Sequence, residues 1–103
     1  MPEIDVGALA NFPEGKGTAV QVGNRRLAIF RLEQRLFAID DRCPHRGFPL
    51  HDGAISESTV RCRTHGSCFD LASGEVLRGP ASKPPRAYPA RTHDDKVLVE
   101  LPD

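Results

Sequence analysis

The chain has 103 residues, with 14 Lys plus Arg balancing 14 Asp plus Glu, so it carries no formal net charge. That balance argues against nucleic acid as a partner, because phosphate binding needs a basic excess. No strictly apolar run exceeds four residues, as at 27–30, whereas a membrane span needs roughly 20. The acidic start Met1-Pro2-Glu3-Ile4-Asp5 lacks the basic and apolar stretches of a secretory leader. A cytoplasmic chain without membrane contact is expected, with length for one domain over 1–103.

In chain order, residues 7–15 follow a short irregular start and fit one helical turn stopped by Pro13 and Gly15. Residues 18–22, 25–32 and 35–40 then read as a β-meander, with turns at Gly23-Asn24 and Glu33-Gln34. Leu27, Ile29, Leu36, Phe37 and Ile39 are its candidate core. The character changes at Asp40-Asp41. From 43 to 85 the chain holds all three Cys and three of the four His, with short strand candidates at 60–62 and 69–71. A loop-rich segment of this length needs an internal staple. Residues 86–91 and 96–101 return to strand pattern around a polar turn at 92–95 and predict a closing hairpin. The expected fold is all-β: an antiparallel sandwich or open barrel, with a loop-rich subdomain at about 41–85 inserted between flanking strands.

Three Cys make a poor disulfide framework and a better metal or redox framework. Cys43-Pro44-His45 and Cys62-Arg63-Thr64-His65 each pair a thiol with an imidazole, and 16 residues separate His45 from Cys62. Residues i and i+2 of an extended segment point to one side, and a Cys-x-x-His turn can converge its ligands likewise. Two centres can use two thiolates and two imidazoles. One is a tetrahedral zinc; the other is a two-iron, two-sulfide cluster in which His replaces Cys on one iron. Zinc fingers pair Cys with Cys and His with His across a helix, whereas here each loop pairs Cys with His and no helix follows. Spacing therefore favours iron.

Cys43-Pro44-His45-Arg46-Gly47-Phe48-Pro49-Leu50, Cys62-Arg63-Thr64-His65-Gly66-Ser67-Cys68-Phe69-Asp70 and the downstream Ser73-Gly74-Glu75-Val76-Leu77-Arg78-Gly79-Pro80-Ala81 resemble the cluster loops of the Rieske iron–sulfur family. The size resembles its soluble ferredoxins. By that resemblance, Cys43 and Cys62 hold the inner iron of one [2Fe-2S] cluster as thiolates. His45 and His65 hold the outer iron near the surface, and a third loop at Gly79-Pro80 covers the cluster. Gly47 and Gly66 let the backbone approach closely, and Ser67 stands where high-potential members place a hydroxyl donor to a bridging sulfide. With all four ligand positions filled, electron carriage fits better than catalysis. The resemblance implies a monomeric one-electron carrier that takes electrons from an NAD(P)H-dependent flavoprotein reductase. It would pass them to a terminal aromatic-ring oxygenase, docking near His45 and His65.

Two other roles compete with this one: the Rieske-like small subunit of an NAD(P)H nitrite reductase, and a zinc-stabilised or metal-free interaction module. The chain also departs from the respiratory Rieske pattern. Phe48 and Thr64 stand where those proteins carry a loop disulfide, and Phe69 replaces a Tyr donor. A potential in the lower part of the family range of about −150 to +300 mV is expected, raised slightly by Ser67. Cys68 reads as an inert thiol, and His51 and His93 as solvated turn residues. Arg46 reads as a docking contact or a solvated charge.

Overall fold

The structure, a computed structural model, describes residues 2–33, 35–43, 49–63, 66–79 and 84–101. Among them the chain is all-β, with antiparallel strand pairing throughout its three sheets. The strands are β1 (Glu3–Ala8), β2 (Lys16–Val22), β3 (Arg25–Leu32), β4 (Arg35–Asp40), β5 (Ala54–Ser56), β6 (Thr59–Arg61), β7 (Cys68–Asp70), β8 (Val76–Arg78), β9 (Ala87–Tyr88), β10 (Ala90–His93) and β11 (Lys96–Glu100). They form a sheet β1-β11-β10, a central sheet β2-β3-β4-β9 and a sheet β5-β6-β7-β8. No helix of the described residues is long and apolar enough to cross a membrane.

The run Leu27-Ala28-Ile29-Phe30 is continuous because β3 is buried on both faces. Successive strand side chains point to opposite sides. Leu27 and Ile29 join one core cluster with Phe12, Ala38, Tyr88, Val97, Val99 and Leu101. Ala28 and Phe30 join a second one with Phe37, Ile39, Leu50, Val60, Phe69 and Leu71. The central sheet is thus a shared layer, covered on one face by β11 and its neighbours and on the other by β6 and β7. Cys43 and Cys62 belong to the second cluster, so the fold brings the two candidate thiols to one side of the central sheet.

The meander at β2–β4, the 3-10 turn Leu9–Asn11 and the closing hairpin match the pattern read from the sequence. Three features differ. Residues 86–91 are not one strand: β9 pairs with β4 in the central sheet and, past Pro89, β10 pairs with β11. The start is a strand rather than irregular: Ile4 and Val6 alternate with polar residues, and β1 pairs with β11 from the far end of the chain. The last turn is tighter than 92–95, because His93 still pairs with Lys96 and the reversal falls on Asp94 and Asp95, both at positive φ.

Candidate iron–sulfur site

Both candidate thiols are almost completely buried, at 1% exposure each, and neither forms a disulfide. Burial in apolar surroundings normally keeps a thiol protonated and inert, whereas a metal deprotonates it outright. Two dry, unbridged Cys on separate loops of one apolar cluster therefore suit metal ligation better than exposed redox chemistry.

The second loop is braced by its own backbone. After β6, the N–H of Cys62 donates to the carbonyl of Ser67 at 2.7 Å, and the N–H of Gly66 donates to the carbonyl of Cys62 at 3.0 Å. Gly66 has a φ of +79°, a left-handed conformation that L side chains rarely adopt. Its vacant side is filled by the Arg61 guanidinium, whose Nη2 lies 3.3 Å from where a Cβ would stand. Ser67, wholly buried, completes the turn, and the half-buried Cys68 directs its Sγ to the Gly66 carbonyl at 3.6 Å.

The first loop is closed by a residue the sequence did not single out. Asp41, two positions before Cys43, is a buried carboxylate. Its Oδ1 accepts the N–H groups of Leu50 and His51, both at 2.8 Å. Its Oδ2 accepts Arg26 Nε at 2.9 Å and lies 2.8 Å from His51 Nδ1. Its own N–H donates to the Arg26 carbonyl. One side chain thus joins the start of the Cys43 segment, its return at Leu50 and the adjacent strand β3. Burial, the largest single influence on Asp41, pushes its pKa up. The Arg26 bond, the two backbone N–H groups and the His51 ring together outweigh it and hold the carboxyl below its ordinary value. His51 is therefore half-buried and bonded rather than a solvated turn residue. Nothing local in the sequence links positions 26, 41 and 51; the register of β3 on β4 brings 26 to 41, and the return of the chain at Leu50 brings 51. His93, by contrast, is exposed, 3.3 Å from Asp94.

Of the residues predicted to form the site, Cys43, Cys62, Gly66 and Ser67 are described and lie in the two braced segments. His45, Gly47, His65 and Pro80 lie outside the described residues, as do Arg46, Phe48 and Thr64. Accordingly, no group of three or more His, Cys, Asp or Glu among the described residues could hold a metal ion. The thiol half of the donor set fits a [2Fe-2S] centre on burial and chemistry.

An all-β chain with two buried, unbridged Cys on adjoining braced loops has the features of a small metal-centre protein. The family model "Rieske [2Fe-2S] domain" matches residues 3–92, and the chain belongs to that family. Its cofactor is a Rieske-type [2Fe-2S] cluster. The anthranilate 1,2-dioxygenase ferredoxin subunit of Burkholderia cepacia is 32% identical, over 93% of this chain and 89% of that one. The naphthalene 1,2-dioxygenase system ferredoxin component of Pseudomonas aeruginosa is 30% identical, over 95% and 94%. Among solved structures, the Sphingomonas yanoikuyae B1 ferredoxin superposes with a TM-score of 0.89 at 26% identity, covering 98% of this chain and all of that one.

Proposed function

We propose that this chain is a one-electron carrier in a multicomponent oxygenase system, with its cluster held by Cys43, His45, Cys62 and His65. The observation that carries the reading is the pair of buried, unbridged Cys in a chain that the Rieske family matches almost end to end. When bound, the cluster supplies a centre that accepts and returns one electron, at a potential raised by imidazole ligation relative to an all-Cys cluster. The chain's own residues do the rest. Cys43 and Cys62 present thiolates from within an apolar core that excludes water. Asp41 and the Cys62–Ser67 turn hold the two segments in place. Ser67 is the candidate hydroxyl donor to the cluster, and Gly47 and Pro80 the candidate close-packing positions of the remaining loops.

A flavoprotein NAD(P)H reductase is the proposed donor, and a terminal aromatic-ring oxygenase the proposed acceptor, in a monomeric, cytoplasmic carrier. The relatives' naming as ferredoxin components of dioxygenase systems supports this. The same reading treats 1–103 as one domain with the cluster segment at about 41–85 inserted. It is supported by the β5–β8 sheet, which is built wholly from residues 54–78.

Purified protein should be red-brown, contain iron and acid-labile sulfide in equal amounts, and be reduced by a candidate reductase in an absorbance assay. A colourless protein containing zinc would overturn the reading. Ser67→Ala should lower the midpoint potential in protein-film voltammetry with the absorption spectrum retained, because a donor to sulfide stabilises the reduced, more negative cluster. An unchanged potential would remove Ser67 from that role.

A further inference from the structure

The sheet β5–β8 is polarised in charge along its strands. Ala54, Arg61, Cys68 and Arg78 pair in one row across all four strands. That row lies at the end nearest the cluster loops, since Cys62 directly follows Arg61. The adjacent row, Ile55, Val60, Phe69 and Val76, points to the other face and packs into the core. At the far end of the same sheet stand Glu57 in the β5–β6 turn, Asp70 at the end of β7, and Glu75 before β8.

The basic end is organised around the loops themselves. Arg42 precedes Cys43, Arg61 precedes Cys62, and Arg78 precedes Gly79-Pro80, so an Arg opens each of the three candidate cluster loops. All three are exposed, and none forms an ion pair with another described residue. Most other Arg of the chain are engaged. Arg26, Arg63 and Arg91 bind Asp41, Asp52 and Glu3, Arg25 binds Tyr88, and Arg31 binds backbone carbonyls. Beside Arg78 lies Leu77, 52% exposed and the one large exposed apolar side chain among the described residues. It is the extra residue where the β7–β8 register shifts between Cys68 and Phe69, and a bulge re-aims its side chain in this way.

Exposed guanidinium groups without an ion-pair partner among the described residues, one of them beside an exposed apolar residue, are the composition of a docking patch rather than of a merely solvated face. In a chain of zero net charge, attraction must come from how charge is distributed. Here the distribution turns the cluster end toward negative potential and the Glu57/Glu75 end away from it. We propose that Arg42, Arg61, Arg78 and Leu77 form the electron-transfer docking surface, and that the partner presents an acidic face to it. This deepens the carrier reading above and rests on it.

Direct voltammetry of the cluster-loaded chain on carboxylate-terminated and amine-terminated monolayers tests both separately, the carboxylate monolayer standing in for the acidic face. Electron exchange should be faster on carboxylate and should slow as salt is added. The double variant Arg42→Gln/Arg78→Gln should slow exchange on carboxylate about tenfold, with the cluster spectrum retained. Lys96→Gln on β11 removes one positive charge away from the patch and should leave the rate within about twofold. Equal rates on the two surfaces, or a Lys96→Gln loss matching the double variant, would overturn the docking surface and leave the carrier intact. Absence of a reversible wave on either surface would instead overturn the carrier.

Discussion

At the scale of single residues, buried polar side chains decide how the cluster segment is attached. Asp41 uses its carboxylate to satisfy two backbone N–H groups, a guanidinium and an imidazole. Tyr88 does comparable work at the neighbouring Asp40. Its hydroxyl donates to Asp40 Oδ1 at 2.7 Å and accepts from Arg25 Nη1 at 3.0 Å, and the Arg25 and Arg86 guanidinium groups lie over its ring. Burial, then the hydrogen bond and charge of Asp40, raise the Tyr88 pKa, with Arg25 opposing. A raised folded pKa gives stability that is complete below the ordinary phenol value of 10.0. That stability is lost as pH rises through the folded value. Tyr88→Phe should therefore remove part of the alkaline loss of stability, while costing about 1 kcal/mol near neutrality for the missing hydrogen bonds. Urea unfolding of both proteins at neutral pH and at about pH 11 checks this. Parallel pH profiles would show that the phenol is not the titrating group.

At the scale of elements, close backbone approach fastens distant segments to one another. A Cβ at Gly17 on β2 would collide with the carbonyl oxygen of His51, just where Asp41 receives the returning chain. A Cβ at Gly53 would collide with the carbonyl oxygen of Arg61, which leads into Cys62, and one at Gly74 with that of Pro85. Backbone in these places cannot yield as a flexible side chain would. Gly17→Ala should destabilise by about 1–3 kcal/mol, the usual cost of overpacking, and lower the melting temperature in a thermal scan. An unchanged melting temperature would mean that β2 and the His51 segment can separate freely. The short strands β5–β8 show why such contacts matter. With three residues each, they have little hydrogen bonding of their own to hold position.

For the whole molecule, the central sheet serves two cores at once, and only one of them contains Cys43 and Cys62. A metal centre that binds the folded state alone adds its binding free energy to folding. Removing the cluster should therefore loosen β5–β8 first and leave β11, whose Val97 and Val99 lie in the thiol-free core, protected. Hydrogen–deuterium exchange of cluster-loaded and cluster-free protein measures this. Uniform loss of protection across all three sheets would show instead that the two cores unfold as one unit.

Much of this was legible in order of sequence distance. The meander of β2–β4 was readable because alternation and turn residues act locally. The two Cys-containing motifs were readable because ligand spacing is written within a few residues. The β1–β11 pairing, with Glu3 opposite Glu100, was not, because no local signal names a partner so far along the chain. The short β5 and β8 were equally hidden, since three residues carry no clear period. His51 was misread for a related reason. Pro49-Leu50-His51-Asp52-Gly53 is a turn by composition, and its burial depends on where Asp41 points. The sequence alone determined the all-β class, the family and the thiols that suit a cluster, since these rest on residue type and short-range pattern. Tertiary structure decided which carboxylate closes the first loop, which face of the central sheet receives both thiols, and which Arg form no ion pair with another described residue. Each of those depends on groups distant in sequence meeting in space, where burial and register rather than composition set the outcome.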